Sequence, residues 1–228
     1  GNTYSIVYSY TDAIGCSDTG TLTFTLNAAP AISLSGLAAG YCEGSAVLDT
    51  VVASPAGGVF SGPAGLTTIS SDSAVLDPAG LAVQTWQIYY TITDSIGCIA
   101  VDSVGFDIYP GVVASIADLD SGYCANALPD TVTGNFAPDG VFQSGLPGVT
   151  PLPNGRALVD PAGLAVGGPY QVIYSYTSPQ GCSDSDTAVF VIYPQPAVSF
   201  SGLDSAYCEG DLTPDTLTGN QTGGVFSG

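Results

Sequence analysis

The stretch Tyr4-Ser-Ile-Val-Tyr-Ser-Tyr-Thr-Asp-Ala-Ile-Gly-Cys16 decides the fold, because the 228-residue chain carries it three times. It returns as Trp86-Gln-Ile-Tyr-Tyr-Thr-Ile-Thr-Asp-Ser-Ile-Gly-Cys98 and as Tyr170-Gln-Val-Ile-Tyr-Ser-Tyr-Thr-Ser-Pro-Gln-Gly-Cys182. Each copy is an alternating aromatic and aliphatic run, a short turn and a closing Gly-Cys. Alternation with a period of two places one set of side chains on one face of a β-strand. Trp86, Ile88, Tyr90 and Ile92 form one such set, and Tyr170, Val172, Tyr174 and Tyr176 another. Core packing explains these aromatics better than ligand binding does.

Other landmarks keep the same register. Gly-Cys falls at 15/16, 97/98 and 181/182, and Tyr-Cys at 41/42, 123/124 and 207/208, both spaced by 82 and 84 residues. Asp-Pro-Ala-Gly-Leu-Ala-Val occurs at 77–83 and 160–166. Gly-Gly-Val-Phe-Ser-Gly occurs at 57–62 and 223–228, with Asp-Gly-Val-Phe-Gln-Ser-Gly at 139–145 between them. This is a tandem repeat. The expected units are the C-terminal part of a module at 1–30, complete modules at 31–110 and 111–195, and the N-terminal part of a module at 196–228. Tyr-Pro at 109–110 and 193–194 marks the junctions, since proline has no N–H to offer a ladder. Short strands separated by Gly/Pro turns predict an all-β chain of tandem Ig-like β-sandwich modules. Each would hold about 80–85 residues and one disulfide, and short linkers would set the modules end to end in a rod. In the second module strands are expected at 31–36, 48–53, 59–60, 84–93 and around 104–108, with a hairpin near 55–58.

Composition narrows the function. The chain has 20 acidic residues, one basic residue (Arg156), no Lys and no His, for a net charge of −19. Nothing could neutralise nucleic-acid phosphate or hold the chain to an anionic membrane surface. No run of 18 apolar residues exists to enter a bilayer. No signal peptide is present, but the chain starts in mid-pattern, so the true N-terminus is expected elsewhere. Without His and Lys the usual general bases, Schiff-base chemistry and isopeptide cross-links are missing, and no enzyme activity is expected. Carboxylate pairs such as Asp118/Asp120 and Asp184/Asp186 read as solvated charges. A Ca²⁺ site there has only weak support, because no EF-hand or RTX-like spacing accompanies it. No cofactor and no other metal is expected.

The six cysteines fall at equivalent places in successive units. The expected bridges are Cys42–Cys98 and Cys124–Cys182, each contributing roughly 3–4 kcal/mol by restraining the unfolded chain. No CxxC and no His argue against zinc, and structural disulfides argue for an oxidising, extracellular setting. Cys16 and Cys208 stand in partial modules. Either the chain is a window on a longer array, or the partial modules complete each other head to tail between chains, with a Cys16–Cys208 bridge. A contact of the second kind propagates as a filament.

One local pattern exceeds background. Of 18 Asp residues, 11 precede Ser or Thr, where composition predicts about four. Eight continue as Asp-Ser/Thr-aliphatic, which marks Thr50, Ser73, Ser95, Ser103, Thr131, Thr187, Ser205 and Thr216 as candidate O-glycosylation sites. Turn chemistry accounts for Ser95 and Ser205 but not for Asp-Thr inside a strand. Glycans on outward hydroxyls would solvate the chain and cover strand edges. Asn220-Gln-Thr222 matches an N-glycan sequon once.

The Tyr-x-Tyr-Thr-Asp-x-x-Gly-Cys strand and turn, the Ser-Gly-Leu…Tyr-Cys start and the Gly-Gly-Val-Phe-Ser-Gly segment resemble the tandem Ig-like/PKD-like repeats of giant Bacteroidota surface proteins. The resemblance covers the whole chain. It implies export by a type IX-like route and O-glycosylation at the eight triplets quoted. Two places depart from the pattern: Asp18-Thr19-Gly20 lacks the aliphatic residue, and Ser178-Pro179 removes the match to Ser95. The function expected is that of a structural repeat region in an extracellular glycoprotein filament or a cell-adhesion fibre, self-associating head to tail at the cell surface. The alternatives are a passive stalk that presents an adhesive tip, and carbohydrate binding by the modules themselves.

Overall fold

A computed structural model describes all of residues 1–228. The chain is all-β, with one 3₁₀ turn at Pro161–Gly163. Contacts divide it into two units: Gly1–Val113 with Thr177–Ser183, and Ala114–Tyr176 with Asp184–Gly228.

The first unit opens with a hairpin, β1 (Asn2–Thr11) and β2 (Ser17–Leu26), paired antiparallel along its full length. Eight strands follow: β3 (Ser33–Ser35), β4 (Gly40–Cys42), β5 (Asp49–Ser54), β6 (Val59–Ser61), β7 (Leu66–Thr68), β8 (Ser73–Leu76), β9 (Thr85–Thr93) and β10 (Ile99–Tyr109). They form two four-stranded sheets, ordered β3-β5-β8-β7 and β4-β10-β9-β6. All pairs are antiparallel except β4 with β10, which run parallel with Tyr109 opposite Cys42. The expected hairpin at 55–58 is instead a crossover. β5 pairs with β3 and β8, whereas β6 joins β9 in the other sheet.

The second unit contains β11 (Ile116–Ala117), β12 (Gly122–Cys124), β13 (Asp130–Gly134), β14 (Val141–Phe142), β15 (Val149–Leu152), β16 (Arg156–Val159), β17 (Gly167–Thr177), β18 (Ser183–Tyr193), β19 (Phe200–Ser201) and β20 (Thr218–Gly219). Its sheets, β11-β13-β16-β15 and β12-β18-β17-β14, reproduce the topology of the first pair strand for strand. β19 and β20 make a separate two-stranded ribbon.

Each core lies between two sheets, as alternation requires of an Ig-like sandwich. In the first, Val51, Ala74 and Leu76 from one sheet meet Phe60, Ile88, Tyr90, Phe106 and Ile108 from the other. In the second, Val132, Ala157 and Val159 meet Phe142, Val172, Tyr174, Phe190 and Ile192. The central tyrosines keep their hydroxyls bonded inside. Tyr90 donates towards the Pro55 and Ser71 carbonyls at 2.9 Å and accepts from the Gly58 N–H at 2.7 Å. Tyr174 accepts from the Phe136 N–H at 3.0 Å. No buried side-chain polar atom lacks a partner, so the cores leave no orphaned group aimed at a ligand.

Candidate functional site

Two local devices recur wherever a cysteine stands. The first is a tyrosine latch beside each Tyr-Cys. Tyr41 donates to the Asp49 carboxylate at 2.7 Å, and Tyr123 to Asp130 at 2.8 Å. Tyr207 makes the same bond to Asp215. The second oxygen of Asp49 and of Asp130 accepts the next N–H, from Thr50 at 2.9 Å and Thr131 at 2.8 Å. Burial, reinforced by the neighbouring carboxylate, raises Tyr41 well above the ordinary phenol value and pushes Tyr123 up to about 12. The hydrogen bond from Tyr41 holds Asp49 below the usual carboxylate value. The latch explains why Asp-Thr recurs inside a strand: the aspartate ties the strand to the Tyr-Cys segment. Sequence reasoning assigned the pattern to glycans and missed this partner, although Tyr and Asp keep a nearly constant spacing of seven or eight residues.

The second device is the Gly-Cys turn. Asp12 accepts from the N–H groups of Ile14 and Cys16 at 3.0 and 2.9 Å, and Asp94 from those of Ile96 and Cys98 at 2.9 and 2.8 Å. In the third copy the Ser178 hydroxyl replaces the carboxylate and accepts from Cys182 N–H at 3.1 Å. The glycine before each cysteine has φ of 93°, 89° and 87°, a conformation open to glycine at no steric cost. The three turns are therefore alike, and they present three like cysteines.

The pairing of those cysteines overturns the expected bridges. The disulfide joins Cys42 to Cys182, with Cα atoms 5.6 Å apart, and both residues fall within the first unit. Cys42–Cys98 and Cys124–Cys182 do not form, because strand length forbids them. Cys42 lies opposite Tyr109 at one end of β10, and Cys98 precedes Ile99 at the other end. Eleven residues at about 3.3 Å each separate the two ends by roughly 36 Å, against the roughly 4.4–6.8 Å that a bridge allows. Cys124 opposite Tyr193, and Cys182 just before β18, stand in the same relation. The formed bridge closes a loop of 140 residues, worth about 5 kcal/mol in the chain-entropy account. Cys16, Cys98, Cys124 and Cys208 carry free thiols; all are exposed except the half-buried Cys98.

Two apolar surfaces remain open. On β1–β2, Tyr4, Ile6, Tyr8, Tyr10, Leu22 and Phe24 all face solvent, and Tyr8 is 71% exposed. Near the C-terminus, Val198, Phe200, Leu203, Leu217, Val225 and Phe226 line a cleft of about 790 Å³. The equivalents of five of these residues in the complete repeat, Ile32, Leu34, Leu37, Val51 and Phe60, belong to the first core. The cleft is thus part of a sandwich core, and β1–β2 carries the pattern of β9–β10, while the equivalents of β7 and β8, with Ala74 and Leu76, stand in neither. The single tryptophan offers no exposed platform: Trp86 is half-buried, and its indole N–H donates to the Ala82 carbonyl at 3.0 Å.

Of the candidate glycan sites, Thr50, Ser95, Ser103, Thr187, Ser205 and Thr216 are exposed, while Ser73 and Thr131 are half-buried. The carboxylate pairs have structural partners. Asp184 and Asp186 accept the N–H groups of Ala114 and Ile116 at 2.8 and 2.9 Å, and Asp118 accepts from the Thr133 hydroxyl at 2.7 Å. No group of three or more acidic, histidine or cysteine side chains is placed to hold a metal ion. No helix is long and apolar enough to cross a membrane.

No family model and no curated protein matches the chain. Among solved structures it is similar to a Ca²⁺-stabilized adhesin that helps an Antarctic bacterium reach out and bind ice, at 14% identity and a TM-score of 0.40. That match covers 89% of this chain, which spans only 60% of the adhesin chain. It is also similar to fibronectin(III)-like modules of Clostridium thermocellum CbhA (13% identity, TM-score 0.35, covering 72% of this chain and 95% of that one). A third likeness is to the human Desmocollin-1 ectodomain, at 10% identity and a TM-score of 0.31, covering 90% of this chain and 46% of that one.

Proposed function

We propose that this chain is a structural repeat region of an extracellular filament or cell-surface adhesion fibre, with no catalytic role, whose partial repeats pack against further repeats of the same kind, in the same polypeptide or in a second copy. The observation that carries the reading is the pair of open apolar faces. β1–β2 presents Ile6 and Tyr8 where the complete repeat has Ile88 and Tyr90, and the C-terminal cleft presents Phe226 where the complete repeat has Phe60. In the complete repeat the Phe60 and Tyr90 rings pack at 4.7 Å between centroids. A repeat of the same kind therefore fits each open face, and burying such side chains contributes roughly 1.5–3 kcal/mol apiece before the cost of association. A net charge of −19 opposes the association, so salt should strengthen it.

The oxidising setting implied by a 140-residue disulfide loop supports an extracellular location. Export by a type IX-like route, and O-glycans on Thr50, Ser73, Ser95, Ser103, Thr131, Thr187, Ser205 and Thr216, complete the proposal. Electron microscopy of native, unreduced material tests it. Ordered filaments with a module repeat, and extra density at Thr50, Thr131 and Thr216, are the expected result. Isolated rods of varying contour would overturn the filament and leave a passive stalk.

A further inference from the structure

The bridge that does form belongs to a set of equivalent half-sites. Cys42, Cys124 and Cys208 each end a Tyr-Cys segment. In all three the cysteine carbonyl accepts an N–H three residues on, from Ser45, Ala127 and Asp211, at 2.9, 2.9 and 3.1 Å. All three keep the tyrosine latch to an aspartate. Cys16, Cys98 and Cys182 each close a Gly-Cys turn, and in all three the cysteine carbonyl accepts the N–H four residues back, from Asp12, Asp94 and Ser178, at 2.9, 3.0 and 2.8 Å. The single disulfide joins the strand-end cysteine of repeat 31–110 to the turn cysteine of repeat 111–195. Pairing inside one repeat is closed off by the length of the hairpin strand.

We infer that this is a repeating staple: the strand-end cysteine of each repeat bonds the turn cysteine of the next. Cys42–Cys182 is the one bridge of this kind that the chain can make with its own residues. The four free thiols are half-staples for further repeats of the same kind. Cys124 takes the turn cysteine of the repeat after 111–195, and Cys208 takes that of the repeat after its own. Cys98 takes the strand-end cysteine of the repeat before 31–110, and Cys16 takes the one before that. The further repeat can stand in the same polypeptide or in a second copy. If a second copy's β1–β2 hairpin fills the C-terminal cleft, the rule gives Cys124–Cys16 and Cys208–Cys98 between copies, and all six cysteines are paired. It assigns Cys16 and Cys208 to two different bridges. Each bridge forms when two thiols lose two protons and two electrons and one S–S bond closes. The electrons reduce the S–S bond of a disulfide-class oxidant, such as oxidised glutathione, to two thiols.

The test is thiol counting and non-reducing peptide mapping of the 228-residue chain, oxidised when dilute. Four alkylated thiols and a Cys42–Cys182 peptide are expected. Two thiols, with Cys42–Cys98 and Cys124–Cys182 peptides, would overturn the rule. Cys182→Ser should raise the count to five, whereas pairing within repeats gives three. The same chain, extended at its C-terminus by residues 63–110 to complete the fourth repeat, then tests propagation. A Cys124 bridge to the appended copy of Cys98 is expected, and a Cys124 that stays free or bonds elsewhere contradicts the rule. Concentrated oxidation of the unextended chain separates the two sources: Cys124–Cys16 and Cys208–Cys98 links support a second copy. Like-to-like links, such as Cys98–Cys98, would overturn the rule.

Discussion

The hairpins β9–β10 and β1–β2 carry the same alternating pattern, yet Ile88 and Tyr90 are 0% exposed while Ile6 and Tyr8 are 60% and 71% exposed. The strands, the register and the Asp-anchored turn match. What differs is the facing sheet: β3, β5, β8 and β7 cover β9–β10, and no strand covers β1–β2. Secondary structure in this chain is thus a local property of the alternating sequence, whereas burial is conferred by a second sheet that comes from elsewhere in the repeat.

Truncating the equivalent isoleucine in each hairpin separates the two environments most. Ile88→Ala should cost about 2–5 kcal/mol, as a fully buried aliphatic does, and Ile6→Ala in the dilute chain no more than about 0.5 kcal/mol. Urea unfolding followed by intrinsic fluorescence reads both, and equal costs would mean that β1–β2 is covered in solution. The tyrosine latch gives a second contrast. Tyr123→Phe removes a hydroxyl bonded to a carboxylate and should cost roughly 1–2 kcal/mol, while Tyr207→Phe, on an exposed residue, should leave the unfolding midpoint unchanged. Turn substitution is a smaller effect. Asp94→Ala leaves two N–H groups without their acceptor and should cost about 1 kcal/mol by analogy with lost caps, with Asp12→Ala close to neutral.

The latch also sets a pH dependence. Tyr41 and Tyr123 have raised folded values, so the folded chain holds protons that the unfolded chain has lost. Their stabilisation is complete below the ordinary phenol value near 10 and declines as pH rises from there towards about 12. Asp49 has a lowered folded value. Its contribution is present above the ordinary carboxylate value and is lost as pH falls below it. Unfolding midpoints from pH 9 to 11.5 should fall in the native chain and fall less in a Tyr41→Phe, Tyr123→Phe double variant.

The repeats, the all-β class and the core faces were legible in the sequence, because alternation and an 82-to-84-residue spacing write them directly. The same alternation leaves Ser103 exposed, on the face of β10 opposite the buried Phe106 and Ile108. The short strands β4, β7 and β8 were not legible, since three or four residues hold too little alternation to register. Missing β4 had the largest consequence. Its parallel pairing puts Cys42 at the far end of β10 from Cys98, and that geometry, not the shared register of cysteines, decides the bridge. The Tyr–Asp latch was hidden for a related reason: its partners come together only once the Tyr-Cys segment folds against β5 or β13.

Sedimentation velocity of the 228-residue chain across concentration, in low and high salt, reads directly whether the open faces pair. Self-association that strengthens with salt and disappears in Tyr8→Asp, which places a charge on the exposed β1 face, is the expected result. A monomer at every concentration, or association that Tyr8→Asp leaves untouched, would contradict it.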